Sequence, residues 1–162
     1  MTSYTTIAVL IGLLGTAVIG GVFFAFSSFV MTALARLSTD DGIEAMQSIN
    51  VVVINRSFLG VFMGTALLCL GLAVVAVNAW GSQWAPWVLA GSALYLVGTF
   101  FVTIVGNVPL NDQLAEIGAG ERRAESVWSR YLDRWTRLNT LRAAAAMSST
   151  LLFSLALMQG GG

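Results

Sequence analysis

Six side-chain amides, Gln47, Asn50, Asn55, Asn107, Asn111 and Asn139, stand with Asp112 and Arg142 at the edges of long apolar runs. Together they offer hydrogen-bond donors and acceptors, one carboxylate and one guanidinium. Polar groups so close to hydrocarbon need partners, either one another or a ligand. Other chemistries are excluded by what is missing. The chain has no histidine, and its one cysteine, Cys69, lies inside an apolar run. Histidine-ligated haem, histidine zinc sites and His-based triads are therefore ruled out, and no metal site is expected. There is no CxxC pair, Rossmann glycine fingerprint or P-loop. Net charge is zero, which gives no electrostatic case for nucleic acid.

Aromatic residues accompany the amides. Trp128, Tyr131, Trp135 and Asn139 stand at i, i+3, i+7 and i+11, and Arg142 at i+14. At about 100° per residue they share one helical face, while Arg130, Asp133, Arg134 and Arg137 point away from it. Phe23, Phe26 and Val30 form a second stripe, with Ser27 beside them. That stripe can line an apolar slot for a flat aromatic ligand. Each feature also has a plainer reading. Gln47 and Asn50 can bond neighbouring backbone. Asn107 can be a C-cap, because Pro109 disfavours helix at the residue before it. Asn111 can cap a short turn at Asp112 to Ile117. Asp112 can pair with an arginine, and the aromatics can be buried packing or face lipid. Singly these readings compete with function. Jointly, so many amides at one place exceed what capping requires.

The elements that must position these groups are membrane helices. Of 162 residues, 57% are hydrophobic and only 10% charged, against about a quarter charged in soluble domains. Mean hydropathy is +0.81. A membrane helix needs about 20 mostly apolar residues. Spans are expected at about 6–34, 57–77, 84–105 and 141–158. They form one domain over 1–162, an all-α integral membrane four-helix bundle. The first run is too long for a signal-peptide core and lacks a positive leader, so it is read as a retained helix. In it, Gly12, Thr16 and Gly20 recur every four residues, which permits close helix contact. Trp80, Trp84 and Trp87 suit an interfacial belt. Arg142 sits at the entrance of the fourth span, where it can snorkel to the interface.

All eight basic residues are arginine, and all lie in, or at the edge of, the connections between spans one and two and between spans three and four. Four spans put both connections on one face. The positive-inside rule makes it cytoplasmic and places both termini on the other side of the cell membrane. Asp40 to Ile54, with Ile43, Met46, Ile49 and Val53 at helical spacing, and Glu121 to Asn139 are read as two cytoplasmic amphipathic extensions. They are expected to run unbroken into spans two and four.

Several stretches, taken in order, carry a resemblance: Phe26-Ser-Ser-Phe-Val-Met31 with Ala33 and Leu34, Ala45-Met-Gln-Ser-Ile-Asn50 with Asn55, and Gly106-Asn-Val-Pro-Leu-Asn-Asp112. Trp128-Ser-Arg-Tyr131 then leads to Trp135, Asn139 and Arg142. In this order they resemble the anthrone-oxygenase-like family of small membrane proteins, long filed as a domain of unknown function. Named members of that family oxidise an anthrone to an anthraquinone. The resemblance implies a lipophilic aromatic substrate and O₂ as partners, with no cofactor. The C–H bonds opposite an anthrone's carbonyl are acidic, and the resulting anion can reduce O₂ without flavin or metal. A protein must then supply a dry flat pocket, a proton acceptor and oxyanion donors. Phe23, Phe26, Trp128, Tyr131 and Trp135 offer the pocket. Asp112 is the candidate base. Gln47, Asn50, Asn55, Asn107, Asn111, Asn139 and Arg142 offer polar contacts. The alternative is a non-catalytic membrane protein that binds a small lipophile or a partner membrane protein. A transporter is disfavoured, because spans one to three hold no central charge. Homo-oligomerisation is left open.

Overall fold

A computed structural model shows an all-helical chain in which four helices are long and apolar enough to cross a membrane. It describes residues 1–118 and 120–160. α1 is Ser3–Leu34, α2 is Thr39–Val52, α3 is Arg56–Asn78, α4 is Ala85–Ala115 and α5 is Ala124–Gly160. α1, α3, α4 and α5 are the spans. α2 is the short amphipathic helix between the first two, capped by Ser38 with Asp40 and Asp41 in its first turn, where carboxylates favour a helix N-terminus. The Met1 amine bonds the Gly160 carbonyl at 3.2 Å, so the ends of α1 and α5 meet. α2 and the arginines gather at the opposite end.

Two apolar clusters divide the molecule lengthwise. One lies toward the chain ends and is built on Val9, Ile19, Cys69, Val88, Tyr95, Phe153 and several alanines. Here helices approach closely because side chains are small. The expected Gly12–Thr16–Gly20 stripe faces α5: Gly12 lies against the Phe153 ring, Gly20 against Ala146 and Met147, and Thr16 hydrogen-bonds Thr150 at 2.8 Å. Without a hydrophobic drive between helices in lipid, such contact is held by van der Waals packing and hydroxyl bonds. The second cluster joins Met31, Ile43, Met46, Leu110, Leu114, Trp128, Tyr131 and Trp135 at the arginine end.

Four expectations are corrected. α5 runs unbroken from the cluster of arginines into the bundle, but α2 does not continue into α3. The chain breaks after Val52, and extended Asn55 starts α3 afresh, its Oδ1 accepting from the Phe58 N–H at 3.0 Å. The chemistry of an N-cap residue outweighed the apolar periodicity. Pro109 does not end its helix: Asn107 is helical and α4 continues to Ala115. The five-residue π-helical segment Thr103–Asn107 directly precedes it, and a widened turn shifts the carbonyl that the ring would otherwise strike. Asn107 is therefore no C-cap, and Asn111 lies inside the helix rather than capping a new one. Trp84 is buried among core residues instead of joining Trp80 and Trp87 at the surface.

Two more π-helical segments interrupt the spans, Phe26–Val30 in α1 and Leu94–Phe101 in α4. Phe26–Val30 and Thr103–Asn107 lie in the half of the bundle nearer the arginines, and Leu94–Phe101 lies near the middle of α4. Each adds a residue to a turn and re-aims the side chains beyond it.

Candidate functional site

At the arginine end the helices enclose a cleft of about 820 Å³, within the range of roughly 300–1,000 Å³ usual for small-molecule sites. Its wall is mostly apolar. Phe58, Phe62 and Phe100 roof it, stacked at 5.9 Å between the first two rings and 5.4 Å between the last two. α2 closes its floor with Met46 and Ile49, and Phe23, Phe26 and Trp135 face it from α1 and α5. Six polar side chains line it: Gln47, Asn50, Thr103, Asn111, Asp112 and Arg142.

Arg142 is the central feature. It is only 4% exposed, and among the described residues no carboxylate pairs with it; the ion pairs there are Arg123–Glu121 and Arg137–Asp133. Neutral groups hold it instead. Nη2 donates to Asn139 Oδ1 at 2.7 Å and Nη1 to Thr103 Oγ1 at 3.1 Å. Its guanidinium carbon lies 4.1 Å from the centre of the Phe23 ring and 5.3 Å from that of Trp135. Cation–π contact of this kind partly replaces lost hydration. Nε is buried and has no hydrogen-bond partner among the described residues. Arg142 thus does not snorkel to the interface; it is turned into the bundle.

The amides fix this arrangement. Asn139 Nδ2 donates to the Phe23 carbonyl at 2.6 Å and to Ser27 Oγ at 2.7 Å, which ties α5 to α1 and aims Asn139 Oδ1 at Arg142. The Phe23 carbonyl also accepts from the Phe26 N–H, where the α-helical part of α1 gives way to the π segment. Asn107 Nδ2 donates to the Trp135 carbonyl at 3.2 Å, and its buried Oδ1 has no partner among the described residues. Asn111 Oδ1 accepts from both Tyr131 Oη and Trp135 Nε1, each at 2.8 Å. Both donors must meet oxygen, so the amide orientation is set and its Nδ2 is left as a donor. Gln47 spends its Nε2 on the carbonyls of Leu114 and Ile117 at 2.8 and 3.1 Å, leaving its Oε1 as an acceptor. Asn50 reaches Tyr131 Oη at 3.5 Å.

The sequence stripe on α5 is therefore real: Trp128, Tyr131, Trp135, Asn139 and Arg142 are all buried on one face. Only Trp135 and Arg142 of the five line the cleft. Trp128 and Tyr131 stack behind them, with ring centres 5.7 Å apart and Tyr131 5.9 Å from Trp135. Asn107 and Asn139 also sit behind the wall, and Asn55 is spent as the α3 cap. Asp112 lines the cleft at its exposed rim and is the one carboxylate among the described lining residues. Sequence reading passed over Thr103, the second partner of Arg142, and the phenylalanine roof. The signal for Thr103 was there: Thr99 and Thr103 are hydroxyls one turn apart in an otherwise apolar span. Thr99 donates to the Arg142 carbonyl at 3.1 Å, and Thr103 to the Thr99 carbonyl at 2.7 Å. The roof carries no such signal, because Phe58 and Phe62 look like any lipid-facing residues until α4 brings Phe100 against them. Among the described residues no three His, Cys, Asp or Glu side chains are placed to hold a metal ion.

No curated protein and no solved structure matches the chain. A family model described as anthrone oxygenase matches residues 51–152. That stretch spans α3, α4 and most of α5, and it contains Asn107, Asn111, Asp112, Trp135, Asn139 and Arg142. It covers well over half of the sequence, and so the chain, a bundle of four membrane-length helices around an arginine-bearing aromatic cleft, belongs to the anthrone oxygenase family.

Proposed function

We propose that the cleft binds a lipophilic, anthrone-like hydroxyaromatic and oxidises it with O₂, without a cofactor. The observation that carries this reading is Arg142: a buried cation with no carboxylate partner among the described residues, packed against the Phe23 and Trp135 rings at the wall of an apolar cleft. An isolated buried charge is expensive. A ligand that brings a negative oxygen supplies the missing counter-charge, and in low dielectric that interaction is strong. The flat aromatic walls suit a flat substrate.

In this reading Asp112 accepts a proton from the carbon opposite the substrate carbonyl, and the electron pair of that C–H bond delocalises onto the carbonyl oxygen. Arg142, held by Asn139 and Thr103, stabilises that oxyanion. Asn111 Nδ2 adds polar contact around the ring, Asn107 steadies Trp135 from behind the wall through its bond to the Trp135 carbonyl, and Phe23, Phe26 and Trp135 exclude water. The carbanion reduces O₂, forming a C–O bond and, with a proton, a hydroperoxide. Loss of water from the hydroperoxide leaves a second carbonyl. One O₂ is consumed, and one quinone and one water are formed. The arginine face is the cytoplasmic one in this reading, and both termini lie outside.

The test uses purified protein in lipid vesicles with an anthrone. Quinone formation, followed by absorbance, and O₂ uptake are expected to match one to one, well above the spontaneous rate. Asn107→Ala is expected to lose most of that excess while the bundle still melts cooperatively. Wild-type turnover no faster than autoxidation sinks the proposal.

A further inference from the structure

The cleft has an opening whose position the reaction does not require. α3 and α4 pack against each other along Ala85–Phe101, where Phe62 meets Tyr95 and Phe100. Below Phe101 they part. The residues on the lips of this gap line the cleft yet are exposed: Leu59 and Met63 on α3, Ile104 and Val108 on α4, and Val51 and Ile54 on the α2–α3 connection. All are apolar.

Depth decides what these lips meet. Arg56 and Asp112 are exposed charges on α3 and α4 and cannot lie deep in hydrocarbon. Met63 is seven residues beyond Arg56 and Ile104 eight before Asp112. At about 1.5 Å per residue the gap reaches roughly 10–12 Å past that charged level, against a hydrocarbon half-thickness of about 15 Å. Acyl chains, not water, lie at that level. An aqueous route would instead pass the rim at Asn50 and Asp112, where α2 and its connection cover the floor with Met46, Ile49 and Val53.

We propose that the gap between α3 and α4 is a lateral portal, through which the cleft exchanges contents with the hydrocarbon of one leaflet. The empty cleft admits a lipid acyl chain, and the ligand arrives from the bilayer by displacing it. Phe62 and Phe100 set the upper limit of the portal. Leu59, Met63, Ile104 and Val108 form its sides. The portal itself does not depend on the proposed oxidation, and only the identity of the displacing ligand does.

Two measurements test it. In the first, wild-type protein sits in vesicles of phosphatidylcholine carrying a diazirine on one acyl chain, and adducts are mapped by mass spectrometry after irradiation. Adducts are expected inside the cleft, on Phe58, Phe62 and Phe100, as well as on outward faces such as Leu67 and Leu70. 1,8-Dihydroxyanthraquinone, which cannot be oxidised further at the same carbon, is expected to deplete the first set and spare the second. Adducts confined to outward faces overturn the portal. So do cross-links showing that a second copy of the chain covers the gap. Cleft adducts that the quinone leaves untouched keep the portal and sink the aromatic-ligand reading instead. In the second measurement, Ile104→Trp narrows the portal without touching Arg142. Association and dissociation of the quinone are expected to slow together, by about tenfold, with Kd unchanged. Unchanged rates, with the variant folded, overturn the portal as the route.

Discussion

α5 carries two different surfaces on one buried face, and the bundle differs at its two ends because of it. From Ala143 to Ala156 that face is small, with Ala143, Ala146, Ser149 and Ala156 around a single ring, Phe153. Facing positions are small too: Gly12 and Gly91 lie against Phe153, and Ser149 bonds the Gly91 carbonyl at 2.7 Å. Helices built this way close on one another. From Trp128 to Arg142 the face is large, aromatic and polar. Its partners are amides and hydroxyls with fixed directions, such as Asn111 bridging Tyr131 and Trp135. Directional bonds hold helices at a set distance, and the space not filled becomes the cleft. A membrane bundle cannot squeeze out such a space by hydrophobic force, since lipid is as apolar as its own core. Closure has to come from small side chains, and an opening persists where they are absent.

Arg142→Met strikes hardest at the open end. It keeps the bulk of the side chain and removes the charge. Losing a preorganised oxyanion donor costs about 10²–10³ in rate, or about 2.7–4 kcal/mol. Stability should move little. Relief of a desolvated charge opposes the loss of a donor to Asn139 Oδ1. Quinone formation and thermal melting of the same sample check both halves. A fall in activity that merely follows a large fall in melting temperature would make Arg142 a structural residue, and the two ends would then differ in shape alone.

Gly98→Ala tests the boundary between the ends. An added methyl at Gly98 would come within 2.5 Å of the Ala145 methyl, and neither group can rotate away. α4 and α5 must separate, at a cost of about 1–3 kcal/mol. Thr99, the next residue, bonds the Arg142 carbonyl, so turnover should drop along with the melting temperature. A variant that loses stability but keeps full turnover would show the closed end to be mechanically independent of the cleft.

How much of this was legible beforehand follows the same division. The four spans could be read because apolar length alone marks them, and the Gly12–Thr16–Gly20 contact and the buried Trp128-to-Arg142 stripe because each is a regular period on an undistorted stretch of helix. What escaped were departures from period. The π segments at Phe26–Val30, Leu94–Phe101 and Thr103–Asn107 have no composition of their own, and they decide which way Asn107 and Phe26 face. The stripe was legible as buried but not as divided, with Trp135 and Arg142 at the wall and Trp128 and Tyr131 behind it. That division depends on where α2 and α3 lie, and no spacing within α5 encodes it. The break before Asn55 was legible in principle, since an asparagine preceding an apolar run is a helix-start signal.

Tyr131→Phe is a smaller perturbation of the open end. It deletes one of the two donors to Asn111 Oδ1 and leaves Trp135 Nε1 as the other. A single hydrogen bond of this kind is worth about 0.5–1.5 kcal/mol. Because Asn111 holds Trp135 at the cleft wall, turnover should fall by no more than about tenfold, chiefly through a raised KM. Steady-state kinetics in vesicles would show it. A loss as large as that of Arg142→Met would mean that the tyrosine hydroxyl itself takes part in the chemistry.

The smallest effect is expected at Gly64, and its sign is informative. An added methyl there meets nothing within 4 Å, because Gly64 lies on the lipid face of α3. Gly64→Ala removes backbone freedom and, by helix propensity, would gain about 0.5–1 kcal/mol in water. In a bilayer the unfolded helix remains largely helical, because hydrocarbon leaves its backbone no other partner, so the gain should be smaller still. Melting in detergent should rise slightly or stay level, with turnover unchanged. Gly64 and Gly98 then receive the same methyl with opposite results, and what separates them is Ala145. A drop in melting temperature at Gly64 as large as at Gly98 would mean that this face of α3 is covered by another protein surface rather than by lipid. The outward faces used as the reference in the acyl-chain labelling would then have to be chosen again.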